Sequence, residues 1–243
     1  MTVKISPSIL AADISNLRGA LDQVVNADEI HVDVMDGHFV PVITWGEGVT
    51  KAVAENTELP VDVHLMIDDP DQFAVGYAKA GANTVSFHAE AAKAPIRLAR
   101  SLREAGAKAG IAFNPKTDVT PFLPLLDEFD LVLIMTVEPG YGGQKFLGST
   151  MGKVRKVRNY IDEHGLDVDV QVDGGVGEAT IEEAAQAGAN IFVAGSAVYG
   201  AQDPASQIET LRDLATDSFN KKLDPLHPTG PLLAYRKSTW LGP

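Results

Sequence analysis

Two short runs, His31-Val-Asp33-Val-Met35 and Asp62-Val-His64-Leu-Met66, place ionisable residues at alternate positions. Residues two apart in an extended strand share a face, so His31, Asp33 and Met35 point together, as do Asp62, His64 and Met66. Ile30, Val32 and Val34 then form the opposite, apolar face of the first run. Charges aimed into a core are costly unless they are paired or hold a metal. For one strand alone, a core histidine satisfied by an Asp partner explains the pattern equally well. Taken together, His31, Asp33, His64 and Asp173 offer two imidazoles and two carboxylates from different strand ends. That N/O set suits one divalent ion per chain, Zn2+, Fe2+, Mn2+ or Co2+. With no cysteine anywhere, disulfides, thiolate-bound metals, iron–sulfur clusters and thiol nucleophiles are excluded together.

A second chemistry is written in glycine. Gly140-Tyr141-Gly142-Gly143, Asp173-Gly174-Gly175 and Gly195-Ser196 each follow an apolar run. Glycine lets backbone N–H groups approach phosphate oxygens, and helix N-termini add a favourable dipole. Any one cluster is ordinary turn chemistry; three at strand ends point to a phosphate cradle. Met35, Met66 and Met135 end three of the same runs, either as core filler or as a polarisable, water-excluding lid over the site. His38, His164 and His227 fall in loops or at a helix end and read as solvated. Lys4 and Lys108 sit at the starts of their runs, the wrong end for a Schiff-base lysine.

The elements that must position these residues alternate along the chain. Strand-like runs fall at 3–9, 29–35, 61–66, 84–88, 108–113, 131–135, 168–172 and 190–195. Between them apolar residues recur at three- and four-residue spacing, as in Ile181, Ala184 and Ala185. AKAGAN (78–83), AQAGAN (185–190) and EAGAKAG (104–110) each end a helical run with a glycine and lead into a strand. Such alternation implies parallel βαβ units, and eight of them match an α/β fold of the (β/α)8 TIM-barrel class, with chemistry at the C-terminal strand ends. A doubly wound open sheet is the competing fold, but its G-x-G-x-x-G fingerprint after the first strand is missing. The expected division is one catalytic barrel over residues 1–215 and a proline-rich extension over 216–243, which holds four of the 14 prolines.

The formal net charge of -13, from 33 Asp+Glu against 20 Lys+Arg, argues against a nucleic-acid partner, which needs clustered basic residues. It does not argue against a small phosphate held by amides. The longest apolar stretches, such as Leu131 to Val137, are far short of the ~20 residues that span a bilayer. The first residues show no secretory pattern, so a soluble, cytoplasmic protein without a membrane partner is expected.

The runs PSILAAD (7–13), HVDVMDGHFVP (31–41), VDVHLM (61–66), MTVEPGYGGQKF (135–146), VDGGV (172–176) and AGANIFVAGSAVYG (187–200) resemble the ribulose-phosphate 3-epimerase family. The resemblance covers residues 3–215. It implies a phosphate-binding barrel of the ribulose-phosphate type, an isomerase of the pentose phosphate pathway that interconverts D-ribulose 5-phosphate and D-xylulose 5-phosphate, and one divalent metal. By the same resemblance His31, Asp33, His64 and Asp173 are metal ligands, Asp33 the proton acceptor and Asp173 the proton donor. Ser8 and His64 would contact the sugar, while Gly140, Tyr141, Gly142, Gly143, Gly174, Gly175, Gly195 and Ser196 would hold the phosphate end. A homo-oligomer is expected. The chain departs from the family pattern at Val42, where Asn is usual, and at Trp45-Gly46-Glu47, where Phe-Gly-Pro is common. An epimerase for a hexulose 6-phosphate, a metal-dependent aldolase or decarboxylase, and a non-enzymatic binding barrel remain the competing readings.

Overall fold

Valine- and isoleucine-rich runs become eight parallel strands in a computed structural model that describes residues 2–223. They are β1 (Lys4–Pro7), β2 (Ile30–Met35), β3 (Val61–Met66), β4 (Thr84–His88), β5 (Lys108–Phe113), β6 (Leu131–Met135), β7 (Asp169–Asp173) and β8 (Ile191–Ala194). Each matches its expected run to within two residues at either end. The strands pair in the order β1-β8-β7-β6-β5-β4-β3-β2, and a parallel bridge between Ser8 and His31 joins β1 to β2, closing the sheet into a barrel.

Helices cover the outside: α1 (Leu17–Asp22), α2 (Glu47–Ala54), α3 (Pro70–Lys79), α4 (Pro95–Glu104), α5 (Met151–His164), α6 (Glu178–Ala187), the short α7 (Ser196–Tyr199) and α8 (Pro204–Leu223). Pro70 and Pro95 open α3 and α4, where the missing N–H costs nothing. Gly188 ends α6 with φ near +110°, as the A-Q-A-G-A-N run requires. Between β5 and β6 the crossover is not an α-helix but a 3₁₀ segment, Thr120–Glu128, because Pro121 and Pro124 remove the amides a longer helix needs.

The expected boundary at residue 215 is corrected by α8, which continues through Leu223. Leu211, Ala215, Ser218 and Phe219 keep the three- and four-residue spacing and are buried, so helical packing extends into the segment read as a tail. The remainder of that extension, 224–243, lies outside the described residues.

Strand alternation separates two environments. Ile30, Val32, Val34, Val63, Phe87, Ile111, Val132, Val170 and Phe192 face the helices in one continuous apolar layer. The inner face is divided. Around β5, β6 and β8 it is apolar, built from Ala112, Leu131, Leu133, Met135, Val137 and Ile191. Around β1 to β4 and β7 it carries buried Ser6, His31, Asp33, Asp62, His64, Ser86, His88 and Gln171.

Low in this polar sector sits Glu29, buried beside Asp62 and Gln171. Burial, with the Asp62 charge, pushes its carboxyl up to about 8, against the opposing pull of Lys4 and His31. Between the ordinary value of 4.5 and about 8 the folded chain therefore holds a proton that the unfolded chain has lost. Stability falls as pH rises through that window, by up to about 1.4 kcal/mol per pH unit. The isosteric Glu29→Gln protein is expected to lose this slope and to gain on the parent as pH rises from 5 to 8. Urea unfolding at several pH values checks it, and a difference that does not change with pH contradicts it.

Candidate active site

Period-two alternation brings His31 and Asp33 from β2, His64 from β3 and Asp173 from the end of β7 to one point at the C-terminal mouth of the barrel. One N or O atom of each lies within 4.8 Å of the other three. His31 Nε2 stands 3.3 Å from Asp33 Oδ1 and 3.9 Å from Asp173 Oδ2. His64 Nδ1 stands 3.2 Å and 3.5 Å from the same two oxygens. Ligands ~2.1 Å from a tetrahedral ion are separated by roughly 3.4 Å, so these spacings suit a shared ion.

His31 adds an independent indication. Its Nδ1 is 2.8 Å from Asp62 Oδ2, whereas its fully buried Nε2 has no hydrogen-bond partner. A buried orphan nitrogen is expensive, and here it faces two carboxylate oxygens. The carboxylate–histidine arrangement fixes the tautomer that leaves the lone pair pointing into the cluster. These residues fit a divalent ion with mixed N/O ligation; which ion is not specified by them.

The charges of the cluster also balance one another. Burial opposes a charged imidazole, but Asp33 and Asp62 together hold His31 well above its ordinary value, and Asp173 and Asp33 raise His64 likewise. Burial would also raise Asp33, yet the His31 charge and the His64 hydrogen bond hold it far below the usual carboxylate range. Two carboxylates at this separation need positive charge between them, supplied by protons or by an ion.

Above the cluster opens a cavity of about 400 Å3, a size suited to a small ligand. Ser8, Gly140, Tyr141, Gly142, Gly143, Asp173, Gly174, Gly175, Gly195 and Ser196 all line it. Ser8 Oγ donates to Asp33 Oδ2 at 2.6 Å, so β1 holds the carboxylate from the other side. Met35, Met66 and Met135 line the strand-end wall of the cavity and are almost wholly buried. At Gly175 φ is +66°, and a Cβ would lie 2.6 Å from the Phe146 backbone nitrogen. No side chain fits there, which brings the loop after β7 close against Gln144 and Phe146 in the loop after β6.

A sequence model described as "Ribulose-phosphate 3 epimerase family" matches residues 4–199. The chain belongs to that family. It is 52% identical over 208 residues to "Ribulose-phosphate 3-epimerase" of Mycobacterium bovis, covering 86% of this chain and 91% of the relative. With the protein of the same name from Bacillus subtilis it shares 47% over 213 residues, 86% of this chain and 98% of the relative. The fold is also that of solved structures with other activities. A 3-hexulose-6-phosphate synthase from Salmonella typhimurium superposes with a TM-score of 0.66 at 20% identity, covering 88% of this chain and 99% of the other.

In this member of the epimerase family, an isomerase, the four residues expected as ligands are gathered as a unit, with His64 fully buried among them. His38 and His164 are exposed and apart from it; His227 is outside the described residues. Sequence reasoning gave no role to a further layer. His88 is fully buried, with Nε2 2.8 Å from His64 Nε2 and Nδ1 3.2 Å from Glu90 Oε2. Burial keeps its imidazole neutral, down at about 4. Asp62 accepts from Gln171 Nε2 at 2.7 Å, which braces it against His31. The signal available for His88 was its inward position two residues after Ser86 on β4. Among the described residues no helix is long and apolar enough to cross a membrane.

Proposed function

We propose that the chain interconverts D-ribulose 5-phosphate and D-xylulose 5-phosphate by inverting carbon 3 through an enediolate. The observation that carries this reading is the pair of carboxylates, Asp33 and Asp173, in one buried cluster at the base of a ligand-sized cavity. Inversion removes a proton from one face of the carbon and returns one to the other, so two acid/base groups are the economical solution. Asp33, on β2, accepts the C3 proton of D-ribulose 5-phosphate; Asp173, on β7, donates to the opposite face. His31 and His64 carry no transferred proton and act as ligands with the two aspartates. A divalent ion held by His31, Asp33, His64 and Asp173 would supply positive charge against the charge that develops on the ketose oxygens.

The remaining residues bind and orient. Ser8 keeps Asp33 Oδ2 engaged and turns the carboxylate toward the cavity. Gly140 to Gly143, Gly174, Gly175, Gly195 and Ser196 supply backbone amides for the phosphate end, with the N-terminus of α7 beside them. Met35, Met66 and Met135 give the sugar an apolar, polarisable wall that excludes water. The cytoplasmic setting and homo-oligomeric assembly belong to the same reading.

The test follows the C3 proton of D-ribulose 5-phosphate by NMR in deuterated water, with and without added divalent metal. Exchange at C3 with appearance of D-xylulose 5-phosphate is expected. No exchange and no xylulose product rejects the reading, and the same signal from a hexulose 6-phosphate alone transfers it to that substrate.

A further inference from the structure

A buried histidine and the partly exposed glutamate it touches have no part in the scheme above. His88, on β4, touches His64 through Nε2 at 2.8 Å and Glu90 through Nδ1 at 3.2 Å. Glu90 is itself pinned: its Oε1 accepts the Asn114 backbone amide at 2.8 Å and the Thr117 hydroxyl. Lys153 Nζ braces that loop through the carbonyls of Asn114 at 2.7 Å and Pro115 at 3.0 Å.

Counting protons along this chain gives one arrangement. A carboxylate only accepts, so the His88 proton lies on Nδ1, toward Glu90. A neutral imidazole has one such proton, which leaves His88 Nε2 as an acceptor. The proton between the two rings therefore belongs to His64 Nε2. His64 Nδ1 faces Asp33 Oδ1 and Asp173 Oδ2, so any second proton on the ring sits there and is the one an ion displaces, leaving the Nδ1 lone pair to the ion.

We propose that the Glu90–His88 pair is a positioning device that fixes the Nε2–H tautomer of His64 and so presents Nδ1 to the ion expected between His31, Asp33, His64 and Asp173. This rests on the metal-site part of the proposed function. His31 is set the opposite way, since Asp62 holds its Nδ1 and Nε2 faces the cluster. The two histidines thus offer different nitrogens, each fixed from outside by a carboxylate, one directly and one through a second imidazole. Such outer partners typically change metal affinity 10–100-fold.

Glu90→Gln tests the device without changing shape. The Gln carbonyl oxygen stays with its two donors, Asn114 N–H and Thr117 Oγ–H, so the NH2 group faces His88 Nδ1. His88 must then accept at Nδ1 and carry its proton on Nε2, which drives the His64 proton to Nδ1, against the ion. Nitrogen-15 NMR of the metal-free protein locates the bridging proton, and competition with a chelator gives the Zn2+ affinity. In the parent protein the proton is expected on His64 Nε2. In Glu90→Gln it is expected on His88 Nε2, with Zn2+ bound about 10–100-fold more weakly.

A bridging proton on His88 in the parent overturns the proposal, as does a Glu90→Gln protein whose bridge or Zn2+ affinity is unchanged. If Glu90→Gln does not fold, the parent spectrum decides. Neither readout uses substrate, so a failure of the epimerisation reading leaves both interpretable. Absence of Zn2+ binding in the parent overturns the ion's place in the proposal and is distinguishable from a misplaced proton.

Discussion

Replacing Asp33 or Asp173 with asparagine is expected to lower kcat/KM for D-ribulose 5-phosphate by at least about 10^3-fold, a loss of roughly 4 kcal/mol of transition-state stabilisation. The size follows from the symmetry of the reaction. A single base on one face of the sugar returns the proton to the face it came from, so inversion needs both carboxylates. Each also contributes an oxygen to the four-donor cluster, so on the proposed scheme either substitution removes an ion ligand along with an acid/base group. The two variants are expected to differ in one respect. Asp173→Asn keeps Asp33 and its Ser8 hydrogen bond, so slow exchange of the C3 proton of D-ribulose 5-phosphate with solvent can persist without xylulose product. Asp33→Asn is expected to lose that exchange. A coupled assay with NMR in deuterated water measures both, and near-parental turnover in either single variant removes the two-carboxylate scheme.

Exhaustive chelation, with metal loss verified by elemental analysis, is expected to abolish turnover and to lower the melting temperature, and returning a divalent ion should restore both. At a free-ion concentration about 1,000 times Kd, binding stabilises the fold by roughly 4 kcal/mol. For a domain of this size that corresponds to about 8–16 °C. The acid–base balance of the cluster gives the pH dependence its sign. His31 and His64 both hold protons more tightly than free imidazole, because burial is outweighed by Asp33, Asp62 and Asp173. An ion must displace those protons, so its affinity should rise with pH. Calorimetry in buffers of different ionisation enthalpy should show proton release. Full activity after verified metal loss, or affinity that falls with pH, contradicts this account.

What could be read from the sequence divides along physical lines. The buried cluster was legible because strand periodicity is short: His31-x-Asp33 and Asp62-x-His64 declare their shared face within three residues. The glycine loops that line the cavity were legible because glycine clusters followed β6, β7 and β8, where a barrel keeps its chemistry. His88 and Glu90 were not, because their meaning lies in a contact across two strands: a lone inward histidine on β4 says nothing of the His64 ring beside it. Asp62 was seen on the right face but not as the partner of His31, since the pairing of β2 and β3 places His31 beside Asp62 only through register. The end of α8 was missed for another reason. Asp217, Asn220, Lys221 and Lys222 dilute the apolar signal of Ser218 and Phe219, and composition was followed where three- and four-residue spacing still held.

The division between an apolar outer layer and a partly polar inner face carries a consequence for how such proteins diversify. The packing that holds strands to helices runs through Val32, Val63, Phe87, Val170 and Phe192, none of which points at the cavity. The clustered His and Asp side chains occupy the alternate positions of the same strands. Mutations can therefore rewrite the inner lining while the scaffold's own register of apolar contacts stays intact, much as a socket can be rewired without moving the wall. That separation also locates the fragile substitutions. Changes on the inward positions are expected to be read by selection as altered chemistry, and those on the outward positions as lost protein.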